Sequence, residues 1–215
     1  MSLHICRLFV PPNRQCKLQG KNMNPVALNE LIAARRSVYT SQFVPGKVVP
    51  EEIIRQILEN ACWAPNHGNK EPWQFQVYSG NGLKKLANLQ AGLYKQYAGE
   101  GFKEIKYEKL RNNPLRASHI ISIGMKRTKG KQIPEVEDIA AMACAVENIY
   151  LSVTAYGLGG YWTTGGITYM EEAKPFFGLD SEDRLMGFFY LGYIAIPSPQ
   201  AKRSPMDAKV SWIKE

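Results

Sequence analysis

The segment from Val136 to Tyr156 carries the longest helical pattern in the chain, and it constrains the fold more than any other feature. It is rich in Ala and Met and is apolar around most of its circumference. A helix of this kind is stable only when nearly all of its surface is covered. The pattern therefore predicts a helix that is buried in the core or against a second subunit, and that ends at Gly157.

Weaker patterns predict the remaining secondary structure. Apolar residues at helical spacing indicate helices, and alternating or short apolar runs indicate strands. The predicted helices are 25–36, 50–62, 82–111 with breaks at Gly99 and Gly101, and 171–177; the predicted strands are 73–78, 120–125 and 184–194. Residues 157–168 are predicted as a Gly-rich connection. Because helices and strands do not alternate regularly, the sequence indicates an α+β fold with a mixed or antiparallel sheet flanked by helices.

The first 22 residues of the 215-residue chain lack the periodicity of the rest. Arg7 interrupts their only apolar patch, so they do not read as a signal peptide. No stretch of the chain approaches the roughly 20 apolar residues that span a bilayer, so a membrane partner is not expected. We expect residues 1–22 to be an N-terminal extension outside the fold, and residues 23–215 to be a single domain that folds without it.

The chain carries a formal net charge of +8, which favours anionic ligands or partners. Its densest basic run, Lys126 to Lys131, reads as a solvated turn after a strand. Nucleic-acid modules need a basic face that is organised around a helix or an aromatic sheet, and the sequence shows neither. A small anionic ligand is therefore favoured over a nucleic acid.

Four cysteines lie at positions 6, 16, 62 and 144, without a CxxC pair. That spacing favours neither a structural zinc site nor a disulfide framework. Cys62 and Cys144 fall on apolar helical faces, where a small buried thiol is the ordinary expectation. This cysteine usage indicates a reducing compartment and hence the cytoplasm.

Several catalytic signatures are missing from the sequence. It contains no GxSxG, no HExxH, no GxxxxGK[ST] and no GxGxxG after a strand. The three histidines offer no Ser-His-Asp arrangement. If the chain is an enzyme, a bound cofactor is expected to carry the reaction, with no metal and no catalytic side chain.

Three polar clusters could bind such a ligand. Arg35-Arg36-Ser37 closes the first predicted helix and could grip a phosphate, or could simply complement the helix dipole. The loop from Ala64 to Trp73 concentrates His and Asn side chains that suit a ring with donors and acceptors, or forms an ordinary turn. Lys202-Arg203-Ser204-Pro205 is either a second cationic site or a solvated basic tail.

Taken in order, these clusters resemble the FMN-dependent nitroreductase family. The resemblance rests on Arg-Arg-Ser near the start, then APNHGNKEPWQF, then GLGGYW before a Thr-Gly segment, and finally FYLGYIAIP followed by KRSP. It covers roughly residues 24–215. The His in the second motif makes the chain resemble the compact single-domain branch of NAD(P)H nitroreductases. It implies a nitroreductase-like fold, an intertwined homodimer around the 136–156 helix, and FMN at the dimer interface.

The resemblance also implies roles for individual residues. Arg35, Arg36, Ser37 and Arg203 would hold FMN, with His67 reaching it across the interface and Asn69 at its polar edge. Trp63 would face the substrate, and Ser152 to Gly157 would border the nicotinamide. The residues expected to line the flavin are Trp162, Thr163, Thr164, Gly165 and Gly166. Glu71 and Ala201 depart from the family pattern, which leaves the phosphate grip and the substrate preference open.

The implied reaction is ping-pong: NADH or NADPH delivers a hydride to the flavin and leaves, and a nitroaromatic, quinone or similar acceptor then takes two electrons. Flavin reduction, dehalogenation and oxygen-dependent flavin cleavage are alternatives on the same fold, with residues 92–113 as a possible lid. A non-catalytic FMN-binding or nucleic-acid-binding protein is a further alternative. The sequence discriminates neither the nucleotide nor the acceptor.

Overall fold

The computed structural model describes residues 24–127 and 133–214. The proposed extension 1–22, Met23 and residues 128–131 of the basic run lie outside this part. The helices are α1 (Pro25–Ala34), α2 (Glu51–Cys62), α3 (Asn81–Tyr97), α4 (Glu104–Asn112) and α5 (Glu135–Ala155). The strands are β1 (Trp73–Ser79), β2 (His119–Met125), β3 (Leu158–Thr163) and β4 (Arg184–Tyr193). A short 3-10 helix occupies Glu171–Phe177, where a helix is predicted.

The strands form one four-stranded sheet in the order β1-β2-β4-β3, and every neighbouring pair is antiparallel. β2 is buried along its whole length, and β4 along most of it. These two central strands consist of the apolar runs that predict strands in the sequence. The α+β class with an antiparallel sheet among helices is therefore confirmed.

Each face of the sheet packs against helices, because successive side chains of a strand point to opposite sides. Ile121 and Ile123 of β2 join a core cluster with Ile57 of α2 and Ile149 of α5. Ile120, which directly precedes Ile121, joins a second cluster that includes residues of α3. The predicted buried face of the 50–62 helix is confirmed by Ile54, Ile57 and Ala61, with Ile53 and Leu58 packed at its margin.

Two predicted elements differ from the structure. α1 ends at Ala34, because Arg35 adopts an extended backbone with φ −56° and ψ 128°; Arg35 and Arg36 are therefore not helical. The Gly-rich connection contains a strand, β3, which pairs with β4 from Leu158 to Thr163. Glycine weakens a strand, so its abundance conceals β3 in the sequence.

The outer surfaces of α1 and α5 are apolar and uncovered. α1 buries no residue. Val136 and Ile139 of α5 are 68% and 39% exposed, so this helix is only partly covered by its own chain. Cys62 and Cys144, which are predicted to be buried, are both exposed. The prediction is wrong because these cysteines lie on helix faces that the domain core does not cover.

The start of the basic run is not a solvated turn, contrary to its interpretation in the sequence. Lys126 donates to the Asp183 carboxylate at 2.5 Å. Arg127 pairs with the buried Asp138 of α5 and also donates to the Ile133 carbonyl at 3.0 Å. The charges are satisfied at this end of β2 because two nearly buried carboxylates face it.

Within residues 24–127 and 133–214, no helix is long and apolar enough to cross a membrane. The same ranges contain no cluster of His, Cys, Asp and Glu that could hold a metal ion.

Candidate cofactor site

The chain leaves α1 and immediately joins the edge of the sheet. Ser37 forms a parallel bridge with Gly160, and the Val38 N–H donates to the Gly160 carbonyl at 3.0 Å. A Cβ on Gly159 would lie 2.8 Å from Val38, and one on Gly160 would lie 2.5 Å from the Phe189 ring. These two glycines therefore permit close backbone packing between the segment after α1, β3 and β4.

Tyr150 of α5 connects three of the predicted site residues. The Arg35 guanidinium lies over its ring, 5.1 Å from the centroid. Its hydroxyl lies 3.4 Å from the Ser37 Oγ and accepts a hydrogen bond from the Trp162 N–H at 2.8 Å. Arg35, Ser37 and Trp162 are thus brought together. No sequence motif points to Tyr150, which is one aromatic residue on a long apolar helix.

Among the described residues, the other two arginines of the predicted site form hydrogen bonds only with backbone carbonyls. Arg36 Nη1 donates to the carbonyls of Ala33 and Arg35 at 2.6 and 2.7 Å, so it caps the end of α1. Arg203 is exposed and donates to the Lys202 carbonyl at 3.1 Å. In the part of the chain that the structure describes, no carboxylate pairs with Arg35, Arg36 or Arg203.

The segment that leads to Arg203 begins at the same place. Ser198 Oγ donates to the Ser37 carbonyl at 2.9 Å. Five extended residues span at most about 17 Å, so Arg203 stays within reach of the arginines that follow α1. The structure records no contact between Arg203 and the other predicted site residues.

The turn after β3 presents polar backbone to solvent. Thr164 and Gly165 are exposed, while Thr168 Oγ1 donates to the Gly165 carbonyl at 2.8 Å and fixes the turn. Gly166 has φ +69°, and a Cβ there would lie 2.9 Å from the Leu110 side chain of α4. The helix inside the predicted lid segment 92–113 therefore rests directly on this turn.

A second group of predicted residues lies on the loop between α2 and β1. Trp63, just after α2, is 75% exposed. His67 pairs through Nδ1 with Glu137 near the start of α5, and Asn69 has a positive φ of 49°. Among the described residues, no hydrogen bond or ring contact joins this loop to Arg35, Ser37 or Trp162. Within one chain the structure does not bring the two groups together.

The predicted nicotinamide border is only partly accessible. Ser152 is buried, and its Oγ accepts a hydrogen bond from the Asn60 Nδ2 at 2.9 Å. The Ser152 hydroxyl therefore joins α5 to α2 and does not face a ligand. Tyr156 and Gly157, at the end of the segment, are exposed.

The side chains around Tyr150 define what the site can do. Neither Arg35 nor Arg36 has a carboxylate partner within residues 24–127 and 133–214, so their remaining guanidinium N–H groups suit a phosphate. The exposed turn at Thr164 and Gly165 offers backbone to the edge of a planar ring. The described residues that Tyr150 joins here, Arg35, Ser37 and Trp162, include no His, Asp or Glu that could act as a general acid or base. The site can therefore bind and orient an anionic, ring-bearing ligand, which would supply the chemistry itself.

Comparison with known proteins shows what this chain is similar to. A family model described as the nitroreductase family matches residues 32–193. The Escherichia coli (strain K12) protein named "Putative NAD(P)H nitroreductase YdjA" is 34% identical over 176 residues, covering 81% of this chain and 90% of that protein.

Solved structures share the architecture. A nitroreductase-like family protein from Bacillus cereus superposes with a TM-score of 0.73 at 28% identity, covering 91% of this chain and 99% of that one. The FMN-dependent nitroreductase NfnB from Mycobacterium smegmatis, solved in complex with NADPH, gives 0.69 at 20% identity, covering 88% and 99%. The family match spans most of the chain, and the chain belongs to the nitroreductase family.

Proposed function

We propose that this oxidoreductase binds FMN, takes a hydride from NADH or NADPH, and reduces nitroaromatics, quinones or similar electron-poor acceptors by a ping-pong mechanism. One observation carries the proposal: Tyr150 joins Arg35, which has no carboxylate partner among the described residues, to Trp162, and the exposed turn at Thr164 and Gly165 follows Trp162 in the chain. A guanidinium without a carboxylate partner suits a phosphate, and an exposed turn suits the edge of a planar ring. The names of the relatives support the same reading.

The residues of this chain would bind and orient the cofactor. Arg35 and Arg203 would hold the phosphate, and Arg36 and Ser37 would hold the polar groups next to it. Trp162 to Gly165 would line the ring, with backbone N–H groups of the turn directed at its reactive edge. FMN supplies the hydride-accepting atom, so the chain needs no acid–base pair of its own.

We propose further that two copies form a homodimer with FMN at their interface. α1 has no buried residue, and the outer face of α5 exposes Val136 and Ile139. The C-terminal segment also leaves Trp212 and Ile213 uncovered, at 74% and 90% exposure. A partner that covers these surfaces would bring its Trp63, His67 and Asn69 to the site around Tyr150. This arrangement accounts for the separation of the two groups within one chain.

Light scattering after size exclusion tests the dimer. Ala143→Glu places a charge on the exposed face of α5 and should convert the dimer into a monomer of half the mass. Ala98→Glu, at the end of α3 and away from this face, is the control and should remain dimeric. A wild-type monomer that binds FMN would contradict the shared interface.

The visible absorbance spectrum of the purified protein, recorded before and after anaerobic addition of NADPH or NADH, tests the main proposal. A flavin spectrum that bleaches with the nucleotide and recovers with a nitroaromatic is the expected result. A flavin spectrum that responds to neither nucleotide would favour flavin cleavage or another donor on the same fold. A colourless protein that FMN does not reconstitute would overturn the assignment.

We propose a cytoplasmic location as well, on the basis of the cysteine pattern.

A further inference from the structure

A cavity of about 140 Å³ lies between the α4 helix, the α3 helix and the sheet. Gln90 reaches it from α3, Lys106 and Lys109 reach it from α4, and Tyr161 and Thr163 reach it from β3. The cavity also touches the turn at Gly165 and Gly166. It therefore adjoins the segment that is proposed to line the flavin, yet none of its helical residues belongs to a sequence motif.

Gln90 contributes a buried donor without a partner. The residue is 1% exposed, and its Oε1 accepts a hydrogen bond from the Tyr190 hydroxyl at 3.4 Å. Its Nε2 is buried and has no hydrogen-bond partner among the residues that the structure describes. Buried polar groups in folded proteins are almost always hydrogen-bonded, so an unpaired amide that lines a cavity indicates a missing acceptor.

The charge around the cavity also favours an acceptor. Its lining includes Lys106 and Lys109 and contains no Asp or Glu. Lys106 lies 4.6 Å from the centroid of the Tyr94 ring, and neither lysine forms an ion pair with a described residue. A neighbouring, larger cavity is different, because it mixes Lys84 with Glu108. The smaller cavity thus selects for oxygen atoms that carry negative charge.

Aromatic rings form one side of the cavity. Tyr161 and Tyr190 stack with centroids 5.1 Å apart and an interplanar angle of 20°. Burial raises the pKa of Tyr161 to about 12, so its phenol remains protonated and neutral. Stacked rings of this kind favour a planar ligand over a compact ion such as sulfate.

The size of the cavity limits what can enter. Pockets for whole drug-sized ligands have volumes of about 300–1,000 Å³. At about 140 Å³ the cavity is too small for a complete three-ring system. It can accept one ring or one edge of a larger molecule.

We propose that this cavity binds the oxygen-bearing, donor-free edge of a planar ring, with the Gln90 amide as the buried donor and Lys106 and Lys109 as cations at the entrance. The proposal rests on the proposed function for its position next to the flavin. The edge could belong to the pyrimidine end of the flavin, through its C2 carbonyl and N1, or to the carboxylate of an aromatic acceptor. At these atoms both sources present acceptors, and binding measurements separate them.

The experiment uses the full chain, stripped of flavin and then reloaded. Gln90→Met keeps the volume and removes both the donor and the acceptor of the Tyr190 hydroxyl, whereas Gln90→Glu keeps that acceptor and replaces the donor with a negatively charged oxygen. Lys109→Gln tests the entrance at an exposed position, so it keeps the test valid if the buried variants fail to fold. Lys84→Gln, an exposed lysine of the neighbouring cavity, is the matched control.

Two dissociation constants are measured. That of riboflavin, which lacks the phosphate, is measured by fluorescence quenching with the flavin-free protein. That of benzoate is measured by thermal shift with the FMN-loaded protein. If the flavin edge occupies the cavity, Gln90→Met weakens riboflavin about 10-fold, Gln90→Glu weakens it more, and benzoate does not respond. If an aromatic acid occupies it, riboflavin is unchanged and benzoate weakens by a similar factor. Lys84→Gln changes neither constant.

The proposal is overturned if Gln90→Met, Gln90→Glu and Lys109→Gln all leave both constants within twofold of wild type. That failure differs from failure of the proposed function. In the first case wild-type protein still binds FMN and bleaches with NADPH. In the second case wild-type protein does not bind FMN, and Gln90-dependent benzoate binding by the colourless protein would still support the cavity as an acceptor site.

Discussion

The Tyr150 hydroxyl accepts a hydrogen bond from the Trp162 N–H at 2.8 Å, which ties the long helix α5 to the end of β3. The same hydroxyl faces Ser37, and the same ring lies under Arg35. One side chain therefore sets the relative positions of the three segments that form the proposed cofactor site. The ring contacts Arg35 and the hydroxyl binds the Trp162 N–H, so substitutions can test the two contacts separately.

Tyr150→Phe should lower stability without weakening FMN binding. The substitution leaves the Trp162 N–H without its partner, at a cost of about 1–3 kcal/mol in the free energy of unfolding, while the ring under Arg35 remains. Urea unfolding and FMN titration measure the two effects. Tyr156→Phe, at an exposed position after the same helix, is the control and should be neutral. A large loss of FMN affinity in Tyr150→Phe would assign the hydroxyl to the cofactor.

Arg35→Ala should weaken FMN binding and leave riboflavin binding nearly unchanged. A charge-assisted hydrogen bond contributes about 1.5–3 kcal/mol, which corresponds to a dissociation constant for FMN about 10-fold or more higher. Fluorescence titration measures both ligands. Arg55→Ala is the control, since Arg55 already pairs with Glu51 on an exposed surface. Equal weakening of both ligands would place Arg35 at the ring and not at the phosphate.

Asp138→Asn should destabilise the fold strongly. Asp138 is 3% exposed, pairs with Arg127, and lies 3.9 Å from the buried Lys70 ammonium. Removing its charge leaves buried cations without compensation, at a cost of about 3–5 kcal/mol. Glu51→Gln, which breaks an exposed pair, should cost about 0–1 kcal/mol. Urea unfolding compares the two, and similar losses would show that Asp138 is not an electrostatic anchor.

Stability should fall as the pH drops below about 6.5, the pKa of histidine in an unfolded chain. His119 in β2 is buried, and this burial lowers its pKa in the folded state. The negative charge of Glu51 raises the pKa, but by less than burial lowers it. The contribution is full above the unfolded pKa and is lost as the pH falls towards the folded pKa, because only the unfolded state takes up the proton.

Urea unfolding at about pH 7.5 and about pH 5.5 measures this loss, on either side of the ordinary histidine pKa. His119→Gln should show a smaller loss between the same two conditions, and the difference between the two proteins is the contribution of His119. Identical losses in the two proteins would contradict the assignment to His119.

The central strands and the long helices were predictable because their apolar residues follow the pattern of a buried strand or of one buried helix face. β2 and β4 are nearly continuous apolar runs, and α2 carries apolar residues at helical spacing. β3 was not predictable, because glycine has a low strand propensity. Gly159 and Gly160 occur there because a larger residue would collide with Val38 or Phe189. The sequence pattern around a strand does not show a steric requirement that comes from residues far away in the chain.

The proposed site divides in the same way. Arg35 and Ser37 were found because they stand together in a recognisable motif, and the structure does bring them to Trp162 through Tyr150. Tyr150 and Gln90 lie alone on helices, where an aromatic residue or an amide reads as ordinary packing. Their importance follows only from what the fold places opposite them.

The Val38 N–H bonded to Gly160 lies along one of the two edges of the sheet. An exposed strand edge offers free N–H and C=O groups on which another chain can add a strand. The segment that occupies this edge begins at the arginines of the proposed phosphate site. A chain that loses its ligand would hold this segment less firmly and expose β3 to strand addition. Ligand occupancy would then govern how long the protein resists aggregation, quite apart from turnover.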